Sequence, residues 1–218
     1  MEIKIVRQIL EWNENCHAEV QEQLDKSNVY MINIMGSPGA GKTTFILRLI
    51  DEFRKLGIRT GVIEGDIAGK IDAEKMAEIG IPVVQLNTDG ACHIEAMSIK
   101  NILPEFNLEE MDVIVIENIG NLVCPAEFDI GEHLKIALLS VPEGDDKVEK
   151  YPLMFTRADA LVITKYDMIN YFRFDVDRVT GNSRNRNENI SIHKVNSASG
   201  EGMQGFVHWV TEKIREGK

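Results

Sequence analysis

No apolar run in the 218-residue sequence approaches the roughly 20 residues that a membrane-spanning helix needs. Met1-Glu2-Ile3-Lys4 does not open a secretory signal. A cytoplasmic protein is expected. Positive charge is in short supply, with 24 Lys and Arg against 35 Asp and Glu and a formal net charge of −11. Such a chain repels polyanions, so neither nucleic acid nor an anionic membrane is expected as a partner. Cysteine is scarce and its count is odd, three in all, which suits a disulfide framework poorly. Each thiol has to be read on its own, as core, as nucleophile or as ligand.

What the sequence does have is 44% hydrophobic residues beside 27% charged ones, the balance of a folded chain with one sizeable core. Seven strand-length runs recur: "VYMINIM", "RTGVIE", "IPVVQLN", "DVIVIEN", "KIALLSV", "ALVITK" and "ISIHKVN". They are rich in Val and Ile and mostly unbroken by polar residues, as strands covered on both faces are. Helical spacing fills 42–56, 72–79, 92–103 and 203–215. The alternation predicts an α/β fold, a three-layer P-loop architecture with a mostly parallel sheet of about seven strands. Residues 1–27, with apolar side chains at Ile5, Ile9, Leu10, Trp12 and Val20 among charges, predict an amphipathic helix ahead of a 28–218 domain. "GNSRNRNEN" at 181–189 reads as a solvated loop.

The stretch "GSPGAGKTTF" falls between the first strand and the first helix of the domain and has the full GxxxxGK[ST] spacing. Gly36, Gly39 and Gly41, with Ala40 between, allow a turn whose N–H groups surround an anion. Lys42 reaches the β and γ phosphates, Thr43 offers a hydroxyl to Mg²⁺, and Thr44 continues into a helix whose positive end faces the same site. A nucleoside triphosphate is the expected ligand.

The base is read from two loops at strand ends. In "TKYD", Lys165 and Asp167 follow the strand "ALVI", at the edge where open α/β sheets bind ligands. A carboxylate there accepts both the N1–H and the 2-amino hydrogens of guanine, a pair that adenine does not offer. Thr164 stands where an Asn is usual. "NSASG" follows the last strand and offers Ser197 and the Ala198 N–H to guanine O6. GTP or GDP is therefore expected over the adenine nucleotides. Carboxylates at strand ends beside the P-loop are the expected partners of Mg²⁺ and of an attacking water. Asp66 and Glu117 are the Mg²⁺ candidates, with Thr43, and Asp72 is a candidate for orienting the nucleophile or else a helix cap.

Cys92 and His93 are adjacent, and Cys124 follows Glu117 closely. Two thiols and an imidazole suit Ni²⁺ or Zn²⁺ and are poor ligands for Mg²⁺ or Ca²⁺. Three ligands leave a site open for exchange or one completed across a symmetric dimer. Cys16 and His17 point in diverging directions on the N-terminal helix and read as incidental.

"GSPGAGKTT", "GDIAGKIDAEKM", "CHIEA", "ENIGNLVCPAEFDIGEH", "EGDDKVEKYP" and "TKYD", in this order, resemble the hydrogenase nickel-incorporation GTPases, the HypB family. The resemblance covers about residues 30–215, and "ENIGNLVCPA" is its most specific block. It implies a P-loop GTPase of the signal-recognition and MinD-like class, and with no obvious arginine finger near the P-loop hydrolysis is expected to be slow. It further implies a homodimer formed with GTP or metal, and a role in delivering nickel to [NiFe]-hydrogenase. The implied partners are the hydrogenase large subunit and a nickel-binding accessory protein, and the implied metal ligands are Cys92, His93 and Cys124. The N-terminal cysteine cluster and histidine-rich store of some members are not in this sequence. Other readings at this level are a small-molecule P-loop kinase, a nickel accessory GTPase for another enzyme such as urease, and a metal-binding module in which nucleotide is structural.

Overall fold

Seven strands form one parallel sheet in a computed structural model that describes residues 16–65, 76–88 and 90–217. They are β1 (Tyr30–Gly36), β2 (Thr60–Glu64), β3 (Val83–Gln85), β4 (Val113–Glu117), β5 (Leu134–Ser140), β6 (Ala160–Thr164) and β7 (Ser191–Lys194). Their spatial order is β3-β2-β4-β1-β5-β6-β7. All seven expected strands are present. The unbroken apolar runs have a direct cause, since side chains alternate between two buried faces. In β5, Leu134, Ile136 and Leu138 enter one hydrophobic cluster while Ala137 and Leu139 enter another.

One face is covered by α2 (Lys42–Lys55) and α8 (Met203–Glu216). Phe45, Ile46, Leu49, Ile50 and Phe53 place a stripe of helical period against the sheet, and Phe45 meets Phe206 edge-on at 5.1 Å. The other face is covered by α1 (16–26), α3 (Ala96–Ile102), α4 (Cys124–Glu127), α5 (Lys147–Lys150), α6 (Pro152–Arg157) and α7 (Val176–Arg186). Val20 and Leu24 of α1 are fully buried in the same cluster as Ile114 and Ile116 of β4. The N-terminal helix is therefore part of the core over its described residues, and the rest of the 1–27 expectation lies outside them. Among the described residues no helix is long and apolar enough to cross a membrane.

Two sequence expectations change. The helical spacing over 92–103 becomes a helix only from Ala96, continued by a single-turn helix Leu103–Glu105. Ahead of it, Gly90 with φ 92° and a turn from Thr88 to Ala91 leave Cys92 and His93 on a loop. Residues 181–186 are helical rather than looped. The Asp175 side chain caps α7 by accepting from the Arg178 N–H, and Arg178 pairs with Asp145 and Glu149. These contacts hold a helix that buries only Val179 and Ser183. The expected helix over 72–79 is described only at its end, helical over 76–78.

His193 on β7 packs against Phe206 and Trp209, and burial pushes its pKa down to about 4. The unfolded chain takes this proton near pH 6.5. Stability linked to His193 is thus complete above pH 6.5 and is lost as pH falls toward 4. The loss should be about 2 kcal/mol after allowance for partial exposure. In urea titrations between pH 7 and 4, His193→Phe should lose less stability than the parent chain, and parallel curves would remove His193 as the cause.

Candidate functional site

The carboxyl ends of β1, β4, β5 and β6 meet at the loop between β1 and α2. Gly41 turns this loop with φ 89°, in the left-handed region that glycine adopts without strain, and Phe45 N donates to Gly41 O to start the helix. Lys42 is 4% exposed and its Nζ lies 3.4 Å from Ser37 O, so its ammonium is folded back over the loop. Ser37 Oγ donates to Glu143 Oε1, and the other Glu143 oxygen accepts from the N–H and hydroxyl of Ser140 at the end of β5. The "EGDD" segment is thereby tied to the phosphate loop.

Thr43 Oγ1 donates to Glu117 Oε1 at 2.9 Å. Two hard oxygen donors side by side at the loop are a fitting pair for Mg²⁺. Glu64 stands in register beside Glu117 and is equally buried. The proposed Asp66 and Asp72 lie outside the described residues.

Beyond the loop is a cavity of about 260 Å³ lined by Gly41, Thr44, Thr164, Lys165, Asp167, Met168, Asn196, Ser197 and Ala198. It brings the two base-reading loops into one space. Thr164 lacks an amide, yet its hydroxyl donates to Ala40 O at 2.6 Å and pins the phosphate loop to β6. Lys165 Nζ donates to Gly39 O at 2.8 Å. The Ala198 N–H is already given to Asn196 Oδ1 at 3.0 Å, so it has to be shared or released to meet a base oxygen.

On the other side of the loop, Cys92, His93 and Cys124 come together, with ligand atoms all within 4.8 Å of one another. The two sulfurs are 2.9 Å apart, and Cys92 Sγ lies 3.6 Å from His93 Nδ1. The hydrogen bond shared with Cys92, then burial, raises the Cys124 thiol above its ordinary pKa. Cys16 is buried in the core. The stem of the Cys124 loop rests on the phosphate loop. Asn121 N donates to Gly36 O at 3.1 Å, and a Cβ on Gly120 would lie 2.8 Å from Pro38 Cγ.

The CobW/HypB/UreG nucleotide-binding domain matches residues 13–194. The hydrogenase/urease maturation factor HypB of Helicobacter pylori strain J99 is 41% identical over 99% of this chain and 89% of its own length. The chain belongs to the HypB family. A crystal structure of Helicobacter pylori HypB in complex with nickel superposes with a TM-score of 0.88 at 39% identity, covering 94% of this chain and 95% of that one. Archaeoglobus fulgidus HypB gives the same TM-score at 32% identity, covering 94% of this chain and all of its own.

Several residues that position this HypB-family site escape a reading of the sequence. Arg48 on α2 donates to Ser197 O and Ala198 O at 3.1 and 2.7 Å, fixing the second base loop from below. Asn121 shapes the Cys124 loop with its side chain, accepting from Val123 N at 2.8 Å. Phe128 stacks on His93. Glu64 alone had a signal, a charged residue at the carboxyl end of an apolar strand.

Proposed function

We propose that this chain is a GTP-hydrolysing metallochaperone that loads nickel into [NiFe]-hydrogenase, working as a dimer whose metal site answers to the bound nucleotide. The observation that carries the reading is the seating of the Cys124 loop on the phosphate loop through Asn121 and Gly120. The likeness to a nickel-complexed HypB adds the cargo. A kinase of a small molecule has no use for a thiol pair at that place.

In this reading the N–H groups of the phosphate loop and Lys42 hold the β and γ phosphates, Asp167 accepts from the guanine edge, and Asp72 orients the attacking water. Thr43, Glu117 and Asp66 would hold Mg²⁺, which supplies charge neutralisation between the phosphates. Cys92, His93 and Cys124 hold the nickel cargo as thiolates and imidazole, and a partner protomer or the receiving protein fills the open positions.

The test measures mass and metal content with GDP and with a non-hydrolysable GTP analogue, each with and without Ni²⁺, followed by nickel transfer to the apo hydrogenase large subunit. A dimer that holds nickel in one nucleotide state and yields it in the other is expected. Turnover above roughly 1 per second without a partner would instead mark a metabolic enzyme, since intrinsic GTPases run at about 10⁻⁴ to 10⁻² per second.

Base selectivity is tested separately. Asp167→Asn should weaken GTP by about 1.5 to 3 kcal/mol for each mismatched charged hydrogen bond and should improve xanthosine triphosphate, because an amide donates where the carboxylate accepted. Unchanged GTP affinity would move the base elsewhere.

A further inference from the structure

A metal-ligating imidazole is ordinarily oriented by a hydrogen bond from its second nitrogen to a carboxylate or carbonyl. His93 has no such bond. Its Nδ1 faces Cys92 Sγ, and its buried Nε2 has no hydrogen-bond partner among the described residues, with the Glu95 carboxylate 3.9 Å away. The ring is instead held by Phe128, which lies parallel to it at 9° with centroids 4.1 Å apart.

The segment that carries Phe128 is held just beyond it by an unusual feature of the core. Asn33, in the middle of β1, is fully buried, and Asn118, just past Glu117, is 1% exposed. Asn118 Nδ2 donates to Asn33 Oδ1 at 3.1 Å, and Asn33 Nδ2 donates to Glu132 Oε1 at 2.9 Å. The second Glu132 oxygen accepts from Ile130 N at 2.7 Å. Buried polar groups persist where every partner is satisfied, and this chain of bonds fastens residues 130–132 to the middle of β1 and the end of β4.

We propose that Phe128 is a positioning residue of the metal site, setting the plane of the His93 imidazole from a segment that the Asn118, Asn33 and Glu132 side chains anchor to the strand end bearing Glu117. The inference rests on the metal-site reading above and adds to it the group that orients the nitrogen ligand. A bound cation then meets a ring already turned toward the two sulfurs.

The experiment titrates the full chain with Co²⁺ and with Ni²⁺, following the thiolate charge-transfer and cobalt d–d bands, and compares Phe128→Leu with Phe128→Tyr. Leucine fills much of the volume without a ring face and should weaken both cations about ten-fold or more and shift the cobalt d–d bands. Tyrosine keeps the face and should restore the parental affinity and spectrum. GTP-analogue binding serves as the check of folding and should be alike in all three chains. Parental affinity and an unchanged cobalt spectrum in Phe128→Leu would overturn the inference, as would equal losses in both variants. If the unsubstituted chain binds neither cation, the metal-site reading falls and this inference with it, an outcome told apart because it precedes any substitution.

Discussion

Lys42→Ala should reduce the proposed GTP hydrolysis to background, a loss of about 10² to 10³, the usual cost of removing one preorganised charge from a transition state. Lys42 sits at the first position of α2, 4% exposed, with its ammonium over the phosphate loop. Alanine is the better helix former there, so α2 should still form. Charge develops on the oxygens bridging the β and γ phosphates as the bond to the γ phosphate breaks. The loss should therefore fall more on turnover and on GTP-analogue affinity than on GDP affinity. Single-turnover assays with γ-labelled GTP, beside fluorescence titrations with both nucleotides, separate the two. Parental turnover would mean that another cation neutralises the phosphates.

Much of this arrangement was legible in the sequence because it is local. The glycine loop, its lysine and its threonine lie within one short stretch, and each parallel strand declares itself by being apolar on both faces. What the sequence conceals is set by contacts between distant segments. Cys92 and Cys124 meet across an intervening helix and strand, so residue chemistry makes them candidate ligands of one ion while spacing by itself cannot bring them together. Asn33 in "MINIM" interrupts an apolar run without saying which polar groups satisfy it. The α7 helix has almost no apolar stripe, so a reading by hydrophobic period sees only a polar stretch, while the Asp175 cap and the Arg178 pairs determine it. Thr164 lacks the amide of the usual Asn, and its hydroxyl donates instead to the phosphate loop, a partner distant in sequence.

Gly120→Ala should disconnect the metal site from the nucleotide. The added Cβ would lie 2.8 Å from Pro38 Cγ and 2.9 Å from Pro38 N, and the second of these is backbone that cannot rotate away. Either the phosphate loop or the stem of the Cys124 loop must move, and the Asn121 N to Gly36 O bond that joins them is stretched. In the parent chain that junction leaves little room for the phosphate loop to close on a γ phosphate without shifting the Cys124 sulfur. Linkage makes the effect mutual: if nucleotide changes metal affinity by some factor, metal changes nucleotide affinity by the same factor, typically about 5- to 150-fold, or 1 to 3 kcal/mol. Gly120→Ala should bring that factor close to one and weaken GTP as well, whereas Cys124→Ala should abolish metal-induced dimers and leave GTP binding by the monomer nearly intact. Zn²⁺ and Ni²⁺ need not give equal factors, since Zn²⁺ favours a tetrahedral set and Ni²⁺ with thiolate ligands often a square-planar one. The measurement is a metal titration of all three chains with GDP and with the GTP analogue. If the parent chain already binds metal equally in both states, nucleotide and metal occupy independent sites, and a switch built on the Gly120 contact has to be abandoned.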